Sequence, residues 1–167
     1  MLLPLKKRIR TNLKGAKKVA ILGIGSYLNG DDALGLLFIE EVRAILRGTK
    51  FTVPVKLFSC GTAPENFTGV IKKFRPSHII VVDAADMGKK TGSICLVDGK
   101  DQNLNVSFST HGLPFEIFAR YIFHYMDTRM IIIGIQAKNL GFGTPVSGQV
   151  QKSIKKVASI VKEALLD

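Results

Sequence analysis

Long apolar runs are missing from this chain: no stretch approaches the ~18 residues that a bilayer-spanning helix requires. Membrane insertion is not expected. The opening Met1-Leu2-Leu3-Pro4-Leu5, followed by basic residues, has the order of a secretory signal reversed and lacks its apolar region, which reads as cytoplasmic. Cysteine is scarce. Cys60 and Cys95 form no CxxC pair and no disulfide ladder, so both read as buried, reduced thiols. Acid is absent from residues 1–18, which carry Lys6, Lys7, Arg8, Arg10, Lys14, Lys17 and Lys18. Seven of the net +11 charges therefore sit there, leaving +4 for the remainder. Residues 1–17 read as a flexible, basic, solubilising arm, and residues 18–167 as one α/β domain. No aromatic side chains interleave with the basic ones, so no nucleic-acid partner is expected. Internal repeats and low-complexity linkers are also lacking.

What is present is alternation of apolar runs with amphipathic stretches, the pattern of an α/β domain. Strands are expected at Lys18–Gly23, Phe51–Phe58, His78–Val82, Ser93–Val97 and Met130–Ile135. Helical spacing marks Leu34–Leu46, Pro64–Phe74, the Phe115–Tyr125 face and Val150–Leu165. The order is roughly βαβαββαβα. It predicts a single-domain three-layer sandwich: a mostly parallel twisted sheet with helices on both faces, and Ser93–Val97 antiparallel at an edge. In such sheets ligands gather beyond the carboxyl ends of the strands.

The first strand leads into Gly25-Ser26-Tyr27-Leu28-Asn29-Gly30-Asp31-Asp32. A phosphate-binding loop has the same glycine spacing but then needs Lys and Ser/Thr. Here those positions are Asp31 and Asp32, which would repel phosphate and suit a cation. Asp83 ends the HIIVV strand, and His111 lies in the polar Ser109-Thr110-His111 segment before a helix. Two carboxylates and an imidazole brought to one sheet edge are a ligand set for nickel, zinc or iron. Taken singly, each residue also has a structural reading. Asp31 suits a helix N-cap, Asp32 the helix dipole, Asp83 a loop cap and His111 a hydrogen-bonded structural role.

Two other chemistries compete. A dinucleotide fingerprint would put glycine where Leu28 stands and acid where strand two ends in Ser59-Cys60, so that reading fails. A cysteine hydrolase could be assembled from Cys60, His111 and a strand-end aspartate if His111 lowered the thiol pKa.

The motifs GIGSYLNGDDALG, GTAPENF at Gly61–Phe67, RPSHIIVVDAADMG at Arg75–Gly88, STHGLP at Ser109–Pro114 and GIQ at Gly134–Gln136 occur in this order. From about Val19 to the C-terminal helix, the chain resembles the maturation endopeptidases of nickel–iron hydrogenases, the formate-hydrogenlyase type. The resemblance implies a nickel-dependent protease that removes the C-terminal extension of the hydrogenase large-subunit precursor, the nickel being carried by that precursor. It also implies Asp32, Asp83 and His111 as metal ligands, and Gly61, Thr62 and Thr110 as substrate-binding residues. The chain departs from the family where Ser26 replaces Asn, Ala33 replaces Gly and Ser59 replaces Asp. The alternative from another class is a non-catalytic nickel-sensing or chaperone module for hydrogenase assembly.

Overall fold

The computed structural model describes residues 4–101, 106–108 and 112–167. Six strands form one sheet: β1 (Val19–Ile24), β2 (Val55–Gly61), β3 (His78–Asp86), β4 (Ile94–Asp98), β5 (Ser107–Phe108) and β6 (Arg129–Gln136). The order β2-β1-β3-β6 is parallel throughout; β4 closes the β6 edge antiparallel, and β5 pairs antiparallel with the end of β3. The helices are α1 (Leu5–Leu13), α2 (Leu34–Leu46), α3 (Thr68–Phe74), α4 (Gly112–Tyr125) and α5 (Gly148–Leu166). The expected three-layer α/β sandwich is therefore the observed one.

Period-two alternation divides the strands between two cores. Val19, Ile21, Ile80, Val82, Ile131 and Ile133 point toward α1, α2 and α5. Ala20, Leu22, Ile79, Val81, Met130 and Ile132 point toward α3 and α4. β1, β3 and β6 are apolar on both faces because both faces are covered, as a central parallel strand requires.

Four local features differ from the sequence reading. β2 starts at Val55 rather than Phe51. Pro54 lacks an N–H for the ladder and instead caps β1, accepting the Val19 N–H at 3.0 Å. Pro64–Phe67 is a separate 3₁₀ turn before α3, and Arg75 ends that helix at φ 54°, the residue before Pro76 being barred from helical geometry. β3 runs past Val82 to Asp86, so Asp83 lies inside the strand rather than at its end. The short strand β5 was not expected at all.

The basic arm is the clearest correction. Residues 5–13 form α1, with Ile9 fully buried and Leu13 nearly so. Leu5, Ile9 and Leu13 recur every four residues, making an apolar stripe that packs on the α2–α5 layer. In the sequence that stripe is masked by the basic residues Lys6, Lys7, Arg8 and Arg10 that surround it. Lys6 pairs with Glu163 and Arg10 with Asp167 along α5, both on the exposed surface where such pairs add little. Arg8 reaches the Leu96 carbonyl on β4 at 2.7 Å. The Ile9→Ala variant is expected to lose about 2–4 kcal/mol in urea unfolding; an unchanged midpoint would mean that the segment does not dock.

Candidate active site

The site is built where β1 gives way to α2. Gly23 and Gly35 let strand and helix touch backbone to backbone. A Cβ on Gly23 would lie 2.1 Å from the Gly35 carbonyl oxygen, and one on Gly35 would lie 2.1 Å from that of Ile24 and 2.6 Å from that of Val82. Because α2 sits this low on β1 and β3, residues 25–33 must fold back tightly over the sheet edge. Gly25, at φ 144°, makes that reversal; a Cβ there would meet the Asp32 carbonyl oxygen at 1.8 Å. The Ser26 N–H donates to the Asp32 carbonyl (3.1 Å), and the Asp32 N–H to that of Asn29 (3.0 Å). Gly30–Ala33 is a 3₁₀ turn leading into α2.

The two adjacent aspartates are both buried but do different things. Asp31 is fully buried and caps neither the 3₁₀ turn nor α2. Its Oδ2 accepts the N–H groups of Lys138 (2.8 Å) and Asn139 (3.1 Å) and the Ser147 hydroxyl (2.8 Å). Its Oδ1 accepts the Ser147 N–H at 2.6 Å. Burial pushes this carboxyl up, but the N–H groups of Ser147, Lys138 and Asn139 and the Ser147 hydroxyl outweigh it. They hold its pKa below the ordinary carboxylate value. The helix-cap reading of Asp31 is thus replaced by a tie to the loop between β6 and α5. Asp32 is 1% exposed, and the turn that carries it packs against β3.

Asp83 arrives from β3 and is 3% exposed. Gly23 pairs with Val82, so Asp83 stands level with Ile24, one step into the edge that the Asp32 turn covers. Across the sheet Asp83 pairs with Gly134 of β6. Alternation sets Asp83 on the same face as Ile79 and Val81, the face covered by α3 and α4. One carboxylate oxygen accepts the Ala84 N–H at 2.8 Å.

Thr110 and His111 lie outside the described residues. The chain continues at Gly112 as α4, which Phe118 and Ile122 bury on the Asp83 face. Among the described residues no three His, Cys, Asp or Glu side chains gather into a metal cage. Asp32 and Asp83 are two buried oxygen donors from separate segments at one edge, and that donor chemistry fits a divalent cation. Gly61 ends β2 at φ 59°, level with Ile24, and its carbonyl accepts the Gly25 N–H at 2.9 Å. Thr62 beyond it is exposed. Both therefore border the same edge.

Gln136, noted in the sequence only within GIQ, has a role that reading did not assign. It is 7% exposed at the end of β6. Its Oε1 accepts the N–H groups of Met87 (2.7 Å) and Lys89 (3.3 Å), and its Nε2 donates to Asp86 (3.3 Å) and the Ala137 carbonyl (3.0 Å). It thereby fixes the loop that follows Asp83. The available signal was a lone amide closing an otherwise apolar strand, MIIIGIQ. Cys60 behaves otherwise: it is buried, its thiol faces the Phe58 carbonyl at 3.8 Å, and burial pushes its pKa to about 12. A nucleophilic cysteine needs the opposite environment.

A model of the hydrogenase maturation protease family matches residues 39–164. The chain is 34% identical over 164 residues to a Methanocaldococcus jannaschii protein that carries the hydrogenase maturation protease name, covering 96% of each. It superposes on the crystal structure of the [NiFe] hydrogenase maturation protease HycI from Thermococcus kodakarensis with a TM-score of 0.84 at 30% identity, over 96% of this chain and 99% of that one. It matches the solution structure of the endopeptidase HycI from Escherichia coli with a TM-score of 0.70 at 28% identity, over 85% and 87%. The family match begins after the Asp31-Asp32 loop, but the two near-full-length similarities extend across it. The chain therefore belongs to the hydrogenase maturation protease family and is a peptide hydrolase.

Proposed function

We propose that the chain is a nickel-dependent endopeptidase, acting in the cytoplasm, that removes the C-terminal extension of a nickel–iron hydrogenase large-subunit precursor. The observation that carries this reading is a pair of buried carboxylates in a hydrogenase maturation protease, Asp32 on a turn that packs against β3 and Asp83 within β3 itself. No helix among the described residues is long and apolar enough to cross a membrane.

In this reading nickel belongs to the precursor substrate. Asp32 and Asp83, with His111, hold that ion and so align the precursor's tail over the carboxyl edge. A bound divalent cation can polarise a scissile carbonyl or acidify a water. Gly61 and Thr62 at the end of β2, with Thr110, border the tail. Gln136 keeps the loop after β3 in place beside Asp83.

Mixing the protein with nickel-loaded precursor should release a short peptide, seen as a mass loss from the large subunit. Asp83→Ala and Asp32→Ala should each slow that release by about a hundredfold or more if the metal supplies most of the charge stabilisation. Binding of the precursor without any cleavage would favour the nickel-sensing or chaperone reading instead.

The thiol alternative makes the opposite forecast. Burial pushes the Cys60 thiol up to about 12, so it stays protonated at neutral and mildly alkaline pH. Cys60 should therefore resist iodoacetamide in the folded protein, and Cys60→Ala should cleave within about twofold of wild type. Loss of cleavage in that variant would restore the cysteine mechanism.

A further inference from the structure

We infer that Asp31 is a positioning residue for cleavage: its carboxylate locks the turn carrying Asp32 to the loop between β6 and α5. The inference rests on the reading of Asp32 as a ligand. The four groups that donate to Asp31 lie more than a hundred residues further along the chain, at Lys138, Asn139 and Ser147. They leave no donor from the helix that Asp31 would otherwise cap.

The lock has further points of attachment. The Asp31 N–H donates to the Asn139 carbonyl at 2.7 Å, and the Gly143 N–H donates to that of Leu28 at 2.8 Å. Gly30 lies so close to the same loop that a Cβ would come within 2.3 Å of Thr144 Oγ1 and 2.5 Å of the Asn139 carbonyl oxygen. The two loops therefore form one body.

That body is referenced to the core. Ser147, which both donates its N–H and offers its hydroxyl to Asp31, immediately precedes α5. The buried face of α5, with Val150, Ile154, Val157 and Val161, is part of the main core. Asp32 is one peptide unit from Asp31, and its own N–H and C=O are tied within the same turn. A shift of Asp31 is therefore passed directly along the chain to Asp32. This connection holds Asp32 in place before a precursor arrives, which is how an outlying shell of hydrogen bonds orients a ligand.

Asp31→Asn keeps the side chain's shape but sets an amide NH2 against N–H donors. Its kcat on nickel-loaded precursor should fall about 10- to 100-fold with KM within about twofold. Backbone hydrogen exchange should quicken at Asp32, Lys138 and Asn139, while Ile79–Val82 in β3 stay protected. Ser147→Ala removes a single hydroxyl donor and should lower kcat about threefold while the melting temperature falls by no more than a few degrees. A folded Asp31→Asn protein with wild-type kcat would overturn the assignment. So would loss of protection spread evenly through β3, because Asp31 would then be a general stability residue. If Asp31→Asn does not fold, Ser147→Ala decides, and wild-type kcat with unchanged exchange at Asp32 counts against the lock. If the wild-type protein cleaves no precursor, the protease reading has failed; exchange at Asp32 in the two variants then tests the lock alone, and unchanged exchange overturns it.

Discussion

The edge that carries the candidate site depends on how low α2 lies on the sheet, and two glycines set that height. Gly23 on β1 and Gly35 on α2 face each other where a single methyl group would collide with backbone atoms. The shortest of these collisions would be with backbone carbonyl oxygens, so moving the nearby Ile39 side chain would not relieve the contact. With helix and strand in backbone contact, the connection between them has no slack. It reverses at Gly25, runs over the strand ends and brings Asp32 down against β3.

That tight connection divides two neighbouring residues of the same type. Carboxylates are costly to bury unless their charge is compensated. Asp31 is compensated by backbone N–H groups and a hydroxyl from a distant loop, which also lower its pKa. Asp32 and Asp83 are buried where this turn packs against β3, at the edge where α/β sheets collect their ligands. Gln136 applies the same logic to the next loop, accepting the backbone N–H groups of Met87 and Lys89. The edge is thus fastened on both flanks by buried polar side chains, and the peptide-hydrolase family to which the chain belongs is consistent with such a prepared edge.

Much of the architecture was legible beforehand because central parallel strands and amphipathic helices write strong periodicities. HIIVV, MIIIGIQ and the Val150–Leu165 stripe each announced their element. The elements misread are those whose signal is weak or mixed. α1 is short, and its Leu5–Ile9–Leu13 stripe is diluted by basic residues. β5 spans two residues and exists only because β3 runs on to Asp86 and offers it a partner. The start of β2 moved because Pro54 cannot join the ladder.

For the site, the sequence by itself determined which chemistry was available: acid in place of Lys and Ser/Thr after the Gly25 and Gly30 spacing, and an aspartate in the HIIVV strand. Motif order also pointed to the family. Only the tertiary structure decided what each acid does. Spacing along the chain places Asp31 and Asp32 side by side at a helix start and makes either a plausible cap or ligand. Hydrogen-bond donors from Lys138, Asn139 and Ser147 are invisible at that range, since what brings them to Asp31 is the packing of α5 and the register of β6 beside β3. Local sequence can state that a carboxylate is present. Which partners compensate its buried charge is settled by contacts between segments that only folding brings together.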